Sequence, residues 1–191
     1  MKKDFELVKT ILKKGGIGVM PTDTIYGLVG QALKQKTVSR IYKVRHRNPK
    51  KPMIILIGSL SDLSCFGVKI NARIKNLLNK IWPIRPFDKI QGKQTQGRLV
   101  AVSVILPCQL KKFAYLHRGT KTLAFRLPAV KNLRLLLCAT GPLVAPSANP
   151  EGKKPAKNIK EAQKYFGKQA DFYLNEGTLY RAPSTLIEIV R

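Results

Sequence analysis

Apolar residues recur at helical spacing along much of the chain, with short continuous apolar runs between the helical stretches. Phe5, Val8, Ile11 and Leu12 share one face and Gly15-Gly16 follows as a stop signal, which predicts a helix over 4–14. Val38, Ile41 and Tyr42 predict a helix over 35–46, and Ile74, Leu77, Leu78 and Ile81 predict one over 71–82 that ends at Trp82-Pro83. Helices are also expected near 130–138 and 158–166. The runs Ile17–Met20, closed by Pro21, and Met53–Ile57 read as buried strands. Further strands fit 99–106, 122–127, 143–146, 171–174 and 184–190. Strands interleaved with helices argue for an α/β fold built on a mixed sheet. The stretch 84–98 breaks the pattern: it is rich in Arg, Lys, Gln and Gly and has no sustained period, so a mobile loop is expected there. With no internal repeat, linker or low-complexity segment, residues 1–191 are expected to form a single domain.

Composition adds a partner class to this outline. With 44% hydrophobic residues the 191-residue chain can bury a core, so a disordered reading fails. Lys plus Arg number 36 against 10 Asp plus Glu, a net charge of +26 that attracts polyanions such as RNA, DNA or nucleotides. A Lys-rich proteome would produce the same excess without any polyanion partner. No apolar run approaches the ~18–20 residues needed to span a bilayer. Met1–Lys14 carries charges throughout and lacks a signal-peptide core. Cys65, Cys108 and Cys138 are odd in number, far apart and set in apolar stretches, as small core or near-core residues of a reducing compartment would be. Two distant histidines argue against a His/Cys metal site. A soluble, cytoplasmic protein is expected.

The common nucleotide and hydrolase templates are missing: no G-x-x-x-x-G-K-S/T loop, no G-x-G-x-x-G, no G-x-S-x-G. So few acidic residues leave little material for a paired-carboxylate hydrolase or a two-metal nuclease. Three segments stand out. Pro21-Thr22-Asp23-Thr24-Ile25-Tyr26-Gly27-Leu28 puts hydroxyls and a carboxylate at a strand end, where an open α/β sheet binds ligands. It reads equally as a Pro-led turn with Thr22 and Asp23 capping backbone groups. Arg45-His46-Arg47, ahead of Pro49-Lys50-Lys51-Pro52, could grip phosphate or carboxylate, or simply cap a helix C-terminus. In Leu143–Gly152 a strand delivers Ser147 and Asn149 to its carboxyl end on one side, as the period of two requires, although an Asn/Pro turn would look the same. No histidine is placed to activate Ser147 as a nucleophile.

Taken together these segments resemble the threonylcarbamoyl-AMP synthases, the YrdC-like domain family. The family pattern runs P-T-D/E-T-x-Y-G-L, K-x-R with a downstream K/N-P, a W-P segment, R-I/V-P, P-S-A-N-x-x-G and a late S-T. Here the matches come in order at Pro21–Leu28, Arg45–Pro52, Trp82-Pro83, Arg126-Leu127-Pro128, Pro146–Gly152 and Ser184-Thr185. The resemblance implies an α/β, YrdC-like twisted open mixed sheet flanked by helices, with a large basic cavity. It also implies a nucleotidyltransferase that makes threonylcarbamoyl-AMP and pyrophosphate from L-threonine, bicarbonate or CO₂, and ATP with its Mg²⁺. The product would serve N6-threonylcarbamoyladenosine formation at tRNA position 37, through a tRNA threonylcarbamoyl transferase complex. By the same resemblance Arg45 and Arg47 are the catalytic cations. Thr24, Arg126 and Ser184 would bind L-threonine, and Arg47, Lys51, Ser103, Ser147 and Asn149 would bind ATP. No protein metal ligand is implied.

The chain departs from the pattern in three places. Arg45 stands where the family has lysine, unless the register slips to Lys43 and Arg45. Ile84 replaces the glycine after Trp82-Pro83, and 84–98 lengthens the connection to Ser103, as a lid, an RNA-facing loop or a plain insertion. The chain also stops soon after its last predicted strand, as the short form of the family would. The competing reading is a double-stranded RNA or tRNA-binding module without synthase activity, motivated by the charge and by the altered motif positions. A carbamoyltransferase reading lacks the accessory domains that would accompany it.

Overall fold

The computed structural model describes residues 2–82 and 101–189. The expected loop at 84–98, Pro83, the first two residues of the 99–106 strand and the last residue of the 184–190 strand lie outside them. In chain order the elements are α1 (Lys2–Lys13), β1 (Ile17–Pro21), β2 (Tyr26–Gln31), α2 (Gln35–Val44), β3 (Ile55–Leu56), a 3₁₀ segment at Leu60–Phe66 and α3 (Ala72–Ile81). Then follow β4 (Val102–Pro107), α4 (Ala114–His117), β5 (Thr122–Arg126), α5 (Lys131–Thr140), β6 (Leu143–Val144), α6 (Ile159–Phe166), β7 (Phe172–Tyr173) and β8 (Thr185–Glu188).

The strands form one eight-stranded sheet in the order β7-β1-β2-β6-β3-β5-β4-β8. It is mixed, as the interleaved pattern predicts: β1/β7, β3/β5 and β4/β8 are parallel, and the remaining pairs antiparallel. Its two faces carry two apolar clusters, divided by the period-two alternation of the strands. Ile17 and Val19 of β1, Ile55 of β3 and Val144 of β6 point to the face covered by Val38 and Ile41 of α2, Leu78 of α3 and Phe166 of α6. Met20, Leu56 and Leu143 point to the other face, where Val8 and Leu12 of α1 and Leu133, Leu136 and Leu137 of α5 cover them. A strand buried on both faces reads as a continuous apolar run, and every residue of β1 is buried.

Helix ends follow the sequence signals. Gly15, with φ +91°, takes the left-handed turn after α1, while Asn71 and Asn158 cap α3 and α6 through their side chains. Several expectations need correction. The strand β2 was not among the predicted elements. Leu77, assigned to an apolar helix face, is 39% exposed. Cys108 is buried, but Cys65 and Cys138 are exposed rather than part of the core. No described helix is long and apolar enough to cross a membrane.

Candidate active site

A cavity of about 480 Å³ opens between the β1–β2 turn, the loop after α2, the floor of β4, β5 and β8, and the loop after β6. That volume falls within the usual range for small-molecule sites. Its wall carries Thr22, Thr24, Arg47, Arg126, Ser147 and Ser184 amid apolar Met53, Ile54, Ile105, Ala124 and Leu186. The described lining is therefore mixed, with two guanidiniums among apolar and hydroxyl groups.

On the β1–β2 side the turn is held by its own hydroxyls. Thr22 Oγ1 donates to the Ile25 carbonyl at 2.7 Å and accepts from the Thr24 amide at 3.2 Å. The Thr24 hydroxyl lies 3.0 Å from Thr22 Oγ1 and accepts from Arg126 Nη1 at 3.3 Å. With the Thr22 proton committed to Ile25, the Thr24 proton goes to Thr22, so Thr24 offers the cavity an acceptor lone pair rather than a donor. Arg126, at the end of β5 and 4% exposed, also lies 3.1 Å from Asp23 Oδ1. Burial holds the Asp23 carboxyl above its usual range even though Arg126 pulls it down, and burial lowers Arg126 while Asp23 raises it. The Arg126 Nε has no aligned partner among the described residues. Ser184, just before β8, shares a 2.9 Å hydrogen bond with Ser103 of β4, which is itself fully buried.

On the opposite side, the loops after α2 and β6 are fastened to each other. Arg45 is the C-cap of α2 and 2% exposed. Its Nε donates to the Asn149 carbonyl at 2.9 Å, and its Nη2 donates to Ser147 Oγ at 3.2 Å and Asn149 Oδ1 at 3.4 Å. Burial, with Arg47 adding repulsion, lowers Arg45 to about 10, which leaves it cationic at neutral pH. His46 turns the backbone at φ +49°, and Arg47 follows, facing the cavity while donating to the Lys51 and Pro52 carbonyls at 3.2 and 2.8 Å. The Asn149 side-chain Nδ2 donates to the Pro150 and Lys153 carbonyls at 2.8 and 2.7 Å, which shapes the loop. Lys51 points outward, 60% exposed, and pairs with Glu151 at 2.7 Å.

The fold thus brings Thr24, Arg126, Ser184, Arg47 and Ser147 to one cavity. Arg45, Asn149 and Ser103 stand behind that wall, holding Ser147 and Ser184, and Lys51 sits outside it. Sequence reasoning passed over Asp23 as partner of Arg126 and Glu151 as partner of Lys51. The usable signal was scarcity: an acid kept inside a motif, in a chain this basic, is there to meet a particular cation. Among the described residues no group of three His, Cys, Asp or Glu could hold a metal ion.

A family model covers almost the whole of this architecture. The Sua5/YciO/YrdC model, described as telomere recombination, matches residues 10–191. The chain belongs to the Sua5/YciO/YrdC family. Among its relatives, the protein named threonylcarbamoyl-AMP synthase from Pyrococcus abyssi is 28% identical over 180 residues, 93% of this chain and 48% of that protein. The Moraxella catarrhalis protein of the same name is 26% identical over 198 residues, 98% of this chain and 92% of that protein. The fold is shared with a crystal structure of P. abyssi Sua5 complexed with L-threonine, at TM-score 0.81 and 24% identity over 99% of this chain and 52% of that one. It is also shared with E. coli YciO, at TM-score 0.76 and 22% identity over 100% of this chain and 86% of that one. The chain therefore spans about half the length of the P. abyssi family member.

Proposed function

We propose that this protein is a threonylcarbamoyl-AMP synthase, a nucleotidyltransferase. The observation that carries the reading is the convergence of Thr24, Arg126 and Ser184 with Arg47 and Ser147 around one cavity, in a family whose members bear that name. The L-threonine bound to the P. abyssi relative supports an amino-acid subsite, for which Thr24, Arg126 and Ser184 supply acceptor, cation and hydroxyl. Arg47, Ser147 and the nearby Lys51 would receive the ATP phosphates, with Arg45 and Asn149 behind Ser147 and Ser103 behind Ser184.

In the proposed reaction the neutral amine of L-threonine takes up CO₂ with loss of a proton to water, or bicarbonate with loss of water, to give a carbamate. A carbamate oxygen then attacks the α-phosphorus of ATP, the bond to the β-phosphate oxygen breaks, and pyrophosphate leaves. Negative charge accumulates on the leaving pyrophosphate, where preorganised guanidinium and hydroxyl donors act most strongly. Holding two anions at reacting distance supplies the rest of the rate. Mg²⁺ would arrive on the ATP phosphates as part of the substrate, as this ion commonly does. The product would pass to a tRNA-modifying transferase in the cytoplasm. The names of the relatives favour this reading over an RNA-binding module without synthase activity.

The test is pyrophosphate release from ATP in bicarbonate buffer, with and without L-threonine. Release that depends on threonine, and falls at least ~100-fold in Arg47→Ala and markedly in Ser147→Ala, is the expected result. Turnover indifferent to threonine, or none from folded wild type with magnesium present, rejects the proposal.

A further inference from the structure

One carboxylate sits among the cations beside the proposed phosphate seat. Glu151 accepts from Lys51 Nζ at 2.7 Å and from the Asn48 amide, and its own amide donates to the Arg45 carbonyl at 2.8 Å. Arg47, on the cavity wall, adds to the field that holds the Glu151 carboxyl below its usual range, after the hydrogen bonds from Lys51 and Asn48. This carboxylate is not needed to join the two loops. The Arg45 bonds to Ser147 and Asn149 already do so from a buried position, whereas the Lys51–Glu151 pair is exposed and adds little stability. What Glu151 does change is charge: it neutralises Lys51, an exposed lysine on the loop that carries Arg47, and lowers the potential where an anion would sit.

We propose that Glu151 is a resident counter-anion of the polyphosphate seat. It holds Lys51 in the free protein, gives it up to the incoming triphosphate, and reclaims it as pyrophosphate departs. The inference rests on the synthase reading for its ligand. It predicts that the chain trades polyphosphate affinity for faster release, because an anion already in place must be displaced on binding and returns on dissociation.

Calorimetric titration of inorganic pyrophosphate and of ATP into the full chain tests this, comparing wild type with Glu151→Gln. Glutamine keeps an acceptor for the Asn48 amide, so the loop retains its support. The variant is expected to bind both probes about three- to tenfold more tightly at low ionic strength, with the gain shrinking as salt is raised. Glu6→Gln, which removes a charge on α1 that pairs with Lys9 of the same helix, controls for net charge and is expected to leave affinity unchanged. In a Lys51→Met background the gain from Glu151→Gln is expected to shrink, because the displaced contact is gone. Should Glu151→Gln fail to fold, Glu151→Asp, whose shorter reach releases Lys51, is expected to bind more tightly by a smaller factor. Equal or weaker binding by Glu151→Gln, or the same gain in Glu6→Gln, overturns the proposal. Equal binding beside intact threonine-dependent turnover removes the counter-anion alone. Tighter binding without such turnover removes the synthase reading and leaves the counter-anion standing. No pyrophosphate binding by any variant removes both.

Discussion

Two buried arginines flank the cavity, and the protein handles their charge in different ways. Arg126, in the sheet, lies beside a carboxylate, Asp23, which is nearly as buried as itself. Arg45, between two loops, has no carboxylate paired with it among the described residues, and its bonded partners are the neutral oxygens of Ser147 and Asn149. The first arrangement is locally neutral and self-contained. The second leaves net positive charge beside Arg47 and Lys51. The proposed function, an amino acid on one side and a polyphosphate on the other, would gain from that asymmetry: the neutral corner would discriminate by shape and hydrogen bonding, the cationic corner attract by charge.

The largest expected effect of breaking this contrast is at Arg126. Arg126→Ala strands Asp23 as a buried charge and is expected to lower stability by about 3–5 kcal/mol in urea unfolding, with Asp23→Asn added to it recovering part of the loss. A loss below ~1 kcal/mol would show that the pair is not a neutral unit. Arg45→Ala is expected to cost about 2 kcal/mol, since the hydrogen bonds lost end on neutral groups that a small rearrangement can rehydrate. Its clearer signature is kinetic: KM for ATP rises as Ser147 loses its anchor, and Arg45→Lys recovers only part, because an ammonium cannot bridge Ser147 and Asn149 as a guanidinium fork does. The smallest effect, and the sharpest test of the contrast, is titration of the carboxylates by NMR. Asp23 is expected to titrate above its ordinary 3.8, because burial outweighs Arg126, and Glu151 below its ordinary 4.5, because Lys51 and Asn48 hold its anion. The stability contributions have opposite signs. That of Asp23 is present below 3.8 and lost as pH rises through its raised folded value, whereas that of Glu151 is present above 4.5 and lost as pH falls through its lowered folded value. Titration of Asp23 below 3.8, or of Glu151 above 4.5, would refute the contrast.

Periodicity made most of this architecture legible, and where it failed the cause is local. The helices α1, α2, α5 and α6 and the buried strands β1, β3 and β6 follow patterns that burial imposes directly. The strand β2 hid because Gly27 and Gly30 dilute its apolar run. Gly30 is small for a packing reason: a side chain there would meet Thr37 Cγ2 at 2.6 Å and Ile17 Cγ2 at 3.0 Å, so α2 can lie against the sheet only over a bare backbone. In the site, spacing placed Ser147 and Asn149 near each other but through the wrong element. The strand β6 ends at Val144, and the two residues meet in the loop beyond it, drawn together by Arg45. No periodic pattern reports that a guanidinium from residue 45 reaches residues 147 and 149, because such contacts belong to the folded chain and not to any stretch of it.

The sheet's two edges are both finished late. The strand β7 pairs with β1, the strand β8 pairs with β4, and Ser184 enters the cavity wall only when β8 docks. Thr24 and Ser184 are separated by about 160 residues, which at ~5–20 residues per second of synthesis is roughly 8–32 seconds. Until then an emerging chain has Thr24 without Ser184, and β4, once made, lacks its neighbour β8. Under the proposed function the pocket is thus incomplete until β8 has joined the sheet.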